Sequence, residues 1–159
     1  MPACLVDSNV WLAAAFAAHP AHAVARRVLL LASAEEPALW CRATQQSFLR
    51  LASTPVITQA YGVPKATNGD AWAAFQAFLA LPQVDVIDEP PELGRFWCQL
   101  GAIEQAAPKR WMDAYLAAFA ITAGLPLISL DQDFRQFVPA GLTLHLLQGD
   151  GHPKDHDAA

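Results

Sequence analysis

"RWMDAYLAAFAITAGLPLISLDQDF" (residues 110–134) reads as a helix, a breaker, a buried strand and an acidic turn in immediate succession. Asp113, Leu116, Ala117, Ala120, Ile121 and Gly124 recur at three- and four-residue spacing. That is the stripe a helix turns toward a sheet, and it aims the Asp113 carboxylate inward from the first turn. Gly124 closes the helix, since glycine adopts the left-handed terminal conformation without a Cβ clash. "LPLISL" (125–130) lacks polar alternation, as expected of a strand covered on both faces in a parallel sheet. Asp131 follows that strand at once, and Asp133 lies two residues further on.

The same grammar extends in both directions. Ala3 to Val6 is a short buried strand, then comes Asp7, then the helical run "SNVWLAAAFAA" (8–18) with Ser8 or Asn9 as N-cap. "HPAHAVARRVLLLASA" (19–34) is a second helix, apolar at Val24, Val28 and Leu31. "ALWC" (38–41) is a second strand, and "ATQQSFLRLAS" (43–53) a helix capped by Thr44 and stopped near Pro55. Thr54 to Asp70, rich in Pro, Gly, Thr and Asn, reads as an exposed loop. "DAWAAFQAFLAL" (70–81) is a helix, "VDVID" (84–88) a third strand, and "PPELGRFWCQLGAIEQA" (90–106) a helix with prolines in its first turn. After the fourth strand, "DQDFRQF" (131–137) is a short helical turn and "LTLHLL" (142–147) the last strand. Strands alternating with helices predict an α/β fold: a mainly parallel sheet of about five strands with helices on both faces. Residues 1–148 form one domain, and 149–159 are a polar tail read as mobile.

Composition narrows the function classes. Of 159 residues, 54% are hydrophobic and 16% charged, and the formal net charge is −5. A sizeable core is affordable, general disorder is excluded, and a uniformly basic nucleic-acid-binding face is not expected. The 3 cysteines have no paired spacing, so neither a zinc knuckle nor a disulfide framework can be drawn. The apolar stretch Val10–Ala18 lacks the positive flank of a signal peptide, and Gly124 and Pro126 interrupt Ala114–Leu130. These features predict a soluble cytoplasmic protein without a membrane partner. Nucleotide-binding glycine loops, a G-x-S-x-G elbow and a D-x-D after the first strand are absent from the chain. His19 with His22, and His152 with His156, have no partner that completes a metal set.

What remains is a group of carboxylates. Ligands of open α/β sheets bind at the carboxyl ends of the strands, where Asp7 and Asp131 both stand. If the first and fourth strands are neighbours, Asp7, Asp113 and Asp131 meet, with Asp133 beside them. Two bare charges at 4 Å cost about 4 kcal/mol even at an effective dielectric near 20. Either protons or a cation must compensate, and oxygen-only ligands suit Mg²⁺ or Mn²⁺. Such an ion activates water and steadies phosphate charge, which points to phosphodiester hydrolysis. Taken singly, each aspartate also has a plain structural role: Asp113 favours a helix dipole, while Asp7 and Asp131–Asp133 sit in turns. Lys109 and Arg110 beside Trp111 either grip phosphate and stack a base or are a solvated pair next to a core tryptophan. Arg50 is placed to reach the acidic cluster or a substrate phosphate, whereas Arg26 and Arg27 read as a solvated helix face.

In this order, "LVDSNVWLA" (5–13), "WMDAYLAAFAITAGLPLIS" (111–129) and "LDQDFRQF" (130–137) resemble the PIN-domain family, in particular the VapC-type toxins of VapBC toxin–antitoxin modules. The likeness runs from about Pro2 to Leu147. The resemblance implies a Rossmann-like PIN domain and an Mg²⁺- or Mn²⁺-dependent endoribonuclease that cuts tRNA or ribosomal RNA. It implies catalytic and metal-holding roles for Asp7, Asp113 and Asp131, with Asp133 auxiliary. It adds supporting roles for Asn9 and Ser129, a homodimer, and a VapB-like antitoxin that inserts its C-terminal segment at the site. One position departs from the family: Gln45 falls where a glutamate is usual, with Thr44, Phe48, Leu49 and Arg50 matching around it. A neutral amide can accept a hydrogen bond from metal-bound water but adds no charge for a second ion. The alternative is therefore a catalytically weakened PIN-like module that binds RNA or a partner without cutting.

Overall fold

The structure, a computed structural model, describes residues 1–148, so the expectation of a mobile tail concerns residues outside those described. Five strands of three residues each form the sheet: β1 (Cys4–Val6), β2 (Ala38–Trp40), β3 (Val84–Val86), β4 (Leu127–Ser129) and β5 (Leu144–Leu146). Around them lie α1 (Ser8–Ala15), α2 (His22–Leu31), α3 (Arg42–Ala52), α4 (Pro55–Ala60), α5 (Asn68–Leu79), α6 (Leu93–Gly101) and α7 (Arg110–Ala123). A 3₁₀ segment, Gln132–Ala140, joins β4 to β5.

Every strand pair is parallel, in the order β3-β2-β1-β4-β5. The chain winds outward from β1 through β2 to β3, then returns to lay β4 against the other side of β1. The boundary between β1 and β4 is therefore the switch point of the sheet, where crevices form beyond the strand ends. Register places Leu5 beside both Leu39 and Leu127.

Strand alternation sorts the core into two halves. Cys4, Val6, Ala38, Trp40 and Ile128 face the layer built by α1, α2, α3 and α5. Leu5 and Leu127 face α6 and α7, where they meet Leu116, Phe119, Phe134 and Phe137. The first layer centres on Trp11 stacked on Trp40 at 4.0 Å and 9°, with Phe48, Phe75 and Phe78 packed edgewise around the pair. Trp11 donates its indole N–H to the Val6 carbonyl at 3.0 Å, tying α1 back to β1. Val10 to Ala14 are all buried in this layer, so the apolar run of α1 is core rather than an interface.

Several local expectations change. Thr54–Asp70 is not all loop: Pro55 starts α4, whose Thr58 is fully buried. Helix α5 begins at Asn68 because Thr67 caps it, exchanging hydrogen bonds with Asp70 in a reciprocal box. Thr44 does not cap α3 from outside. It is the third helical residue and bonds back to Cys41, accepting from its N–H at 3.1 Å and donating to its carbonyl at 3.0 Å. Asp7, not Ser8 or Asn9, is the N-cap residue of α1. Pro90 and Pro91 precede α6 rather than forming its first turn. On α2 the buried positions are Ala25, Val28 and Leu29, while Leu31 is 54% exposed. Among the described residues, no helix is long and apolar enough to cross a membrane.

Candidate active site

Asp7 caps α1 with its backbone in the extended region, so its side chain stays at the end of β1 while the chain turns. Its N–H donates to the Ile128 carbonyl at 2.9 Å, which locks it beside β4. The residue is only 7% exposed. Ser129, fully buried at the end of β4, donates its hydroxyl to Asp7 Oδ2 at 2.7 Å. The Ser129 hydroxyl oxygen in turn accepts from Asn9 Nδ2 at 3.1 Å and from the Asp131 N–H at 2.9 Å. A hydroxyl has one donor and two acceptor sites, so Ser129 is saturated. Asn9 closes the ring by accepting from the Leu130 N–H at 3.2 Å. Asp7, Asn9, Ser129 and Asp131 thus form one hydrogen-bonded unit across the switch point.

Asp131 begins the turn after β4, and its Oδ1 accepts from the Asp133 N–H at 2.8 Å. Asp113 enters from the first turn of α7. Asp7, Asp113 and Asp131 line one cavity of about 250 Å³, together with Thr44, Ser47 and Arg50 of α3. Burial raises the Asp7 carboxyl above the usual carboxylate range, the Asp131 charge adds to this, and hydrogen bonds from Ser129 and Ser8 oppose it. Asp113 is pushed up to about 6, first by burial and then by the charges of Asp131, Asp7 and Asp133, with Arg110 opposing. Like charges held this close are the electrostatic signature of a cation or proton site.

Not every expected residue converges there. Asp133 is exposed and does not line the cavity, although its charge reaches Asp113. Gln45 is buried at 3% exposure and accepts the Arg42 guanidinium at 2.6 Å, outside the cavity wall. The reason is helical phase: Ala43, Thr44, Ser47 and Arg50 share the face toward the carboxylates, and position 45 is turned away from it. Lys109 is exposed just before α7 and does not line this cavity. Arg110 is committed elsewhere: it donates from Nε to the Leu100 carbonyl at 2.8 Å, bonds Gln136, and lies 4.9 Å over the Phe137 ring. Trp111 packs against Gly101, where an added Cβ would stand 2.6 Å from its ring, and meets Trp97 edgewise at 5.9 Å. It thereby joins α6 to α7 while remaining 43% exposed. Thr44, read in the sequence only as a helix cap and a family match, lines the cavity, as do Ser47 and Met112, which the sequence reading passed over. The periodicity of α3, counted from Arg50, is the signal that finds the first two.

The donor set is oxygen-only, which fits a hard divalent cation. Among the described residues, no three Asp, Glu, His or Cys side chains close into a ready-made metal cage. An open set suits Mg²⁺, which keeps several waters and binds through one or two carboxylates plus substrate phosphate. The residues therefore fit such an ion as an open site rather than a structural one.

Residues 4–138 match the model of the PIN domain. Over 144 residues the chain is 43% identical to Ribonuclease VapC41 of Mycobacterium tuberculosis, an alignment covering 90% of this chain and 97% of the relative. Two solved structures share the fold. VapC20 of Mycobacterium tuberculosis, described as a Sarcin-Ricin loop cleaving toxin, superposes with a TM-score of 0.60 at 17% identity, over 88% of this chain and 96% of that one. VapBC2 of Rickettsia felis, bound to a DNA fragment from its promoter, gives a TM-score of 0.58 at 15% identity, over 89% of this chain and 96% of that one.

Proposed function

Because the chain belongs to the PIN-domain family, we propose that it is a VapC-type endoribonuclease, the toxin of a type II toxin–antitoxin pair, and that it works with Mg²⁺ or Mn²⁺. The observation that carries this reading is the convergence of Asp7, Asp113 and Asp131 from three separate elements on one cavity at the switch point of the sheet.

In the proposed mechanism these three carboxylates would hold the ion. When bound, it supplies Lewis acidity toward a phosphoryl oxygen and lowers the pKa of a water. The chain supplies placement. Ser129 pins one oxygen of Asp7 and Asn9 pins Ser129, so the first carboxylate needs no reorganisation on binding. Asp113, pushed up to about 6 by burial and then by its acidic neighbours, is ionised at neutral pH, and a bound cation would offset the repulsion among the three carboxylates. Arg50, on the rim, receives the phosphate of the RNA backbone.

Partners follow from the family: a VapB-like antitoxin that blocks the cavity, an RNA substrate of the tRNA or ribosomal class, and a second copy of the chain in a cytoplasmic homodimer. The weakened-module reading rested on Gln45. Its amide is held by Arg42 away from the cavity, so the missing glutamate gives no reason to expect an impaired site.

The decisive assay incubates the protein with pooled tRNA and ribosomal RNA in Mg²⁺, Mn²⁺ or EDTA, beside Asp7→Asn. Discrete fragments that require both the metal and Asp7 are expected. Equal cleavage by the variant, or cleavage in EDTA, would remove the assignment.

A further inference from the structure

A second cavity, of about 660 Å³, lies between α3 and α5 and is lined by Leu49, Arg50, Ser53, Asn68, Gly69 and Trp72. It falls within the roughly 300–1,000 Å³ typical of small-ligand sites. Arg50 lines this cavity and the acidic one, and among the described residues it is the sole cationic residue on either wall. Its backbone carbonyl is engaged by Ser53 and Thr54, and among the described residues its guanidinium has no hydrogen-bonding partner.

Trp72 is 52% exposed yet anchored, its ring resting 5.4 Å from the buried Phe75 at an angle of 51°. An indole supported by the core on one side and open on the other is a stacking platform. The Ser53 O–H is directed at the Leu49 and Arg50 carbonyls, and one oxygen of the nearby Asp70 carboxylate accepts from Thr67. On the cavity wall Asn68 offers an amide donor and acceptor, and Arg50 a planar cation suited to phosphate.

We infer that this cavity receives an unpaired nucleotide adjacent to the phosphate being cut, with its base stacked on Trp72 and its phosphate shared with Arg50. The inference rests on the ribonuclease reading and adds to it a base-stacking position at Trp72. A base in a duplex has both faces covered by its neighbours and cannot present one to an indole. That one cation lines both cavities favours the RNA backbone over an apolar peptide. An acidic wall followed by a cation and an aromatic matches metal, phosphate and base in that order.

The test uses full-length protein carrying Asp7→Asn, so that RNA survives in Mg²⁺. Fluorescein-labelled single-stranded RNA ten-mers of mixed sequence and a duplex of equal length are titrated by anisotropy. Trp72→Ala is expected to weaken single-strand binding at least about fivefold, the lower end of what one base–aromatic stack is worth. Trp72→Phe should restore most of it, and duplex binding should not respond. Circular dichroism verifies that both variants are folded. Unchanged single-strand affinity in Trp72→Ala, or an equal loss on the duplex, would overturn the inference. So would a change of mass in light scattering, which would make Trp72 a contact between copies. Cleavage of the RNA pool by the unsubstituted chain is scored separately, so failure of the nuclease reading and failure of the subsite are told apart.

Discussion

Neutralising Asp113 should make the metal-free protein more stable while abolishing its nuclease activity. The Asp113 carboxyl is raised from 3.8 to about 6 by burial and by three neighbouring carboxylates. At about 1.36 kcal/mol per tenfold change, a rise of about two pKa units stores roughly 3 kcal/mol of unfavourable energy at neutral pH. The side chain is only half-buried, and solvent screening brings this to about 1.5 kcal/mol. Asp113 also sits in the first turn of α7, where its charge recovers about 0.5 kcal/mol from the helix dipole. The net gain for Asp113→Asn is therefore about 1 kcal/mol, or roughly 2–4 °C in Tm for a domain of this size.

The pH dependence has a definite sign. The folded carboxyl keeps its proton to higher pH than the unfolded one, so the folded state binds more protons between about pH 4 and 6. Stability from this group is thus present at low pH and lost as pH rises through about 6. Calorimetry in EDTA should find Asp113→Asn the more stable protein at pH 7.5, and the difference should vanish near pH 4. A variant no more stable than the parent at pH 7.5, or a gain that persists undiminished at low pH, would refute the electrostatic account.

Two further substitutions probe the surrounding wall. Ser129→Ala removes a hydroxyl that serves Asp7, Asn9 and the Asp131 N–H at once. Leaving buried polar groups unpaired costs about 1–3 kcal/mol, so urea melts should shift to lower midpoints and kcat should fall as Asp7 loses its fixed orientation. Gln45→Glu tests the helical phase of α3. The new carboxylate pairs with Arg42, and the Mg²⁺ concentration giving half-maximal cleavage should not change, whereas a lower requirement would place position 45 in the site.

The alternation of short apolar runs with helical stripes is legible because each pattern lies within one window of the chain. Gly124 at φ 67 and the stripe of α7 follow from local rules, as does Asp131 at a strand end. The capping box at Thr67–Asp70 was equally local, and a loop-like composition masked it. The site itself is another matter. That Asp7 meets Ser129, 122 residues away, depends on β4 inserting beside β1 rather than beside β3. That choice is made by Leu5 and Leu127 burying one sheet face under α7 while Val6 and Ile128 bury the other. Three-residue strands carry no register information of their own, and long-range packing supplies it. Packing likewise turned Gln45 onto Arg42, engaged Arg110 with Leu100 and Gln136, and left Arg50 between two cavities. The chain alone determined which residues are candidates for the chemistry, since charge and hydrophobic period are properties of sequence. Tertiary structure decided which of them share a cavity, since convergence is set by the order of strands and the phase of each helix.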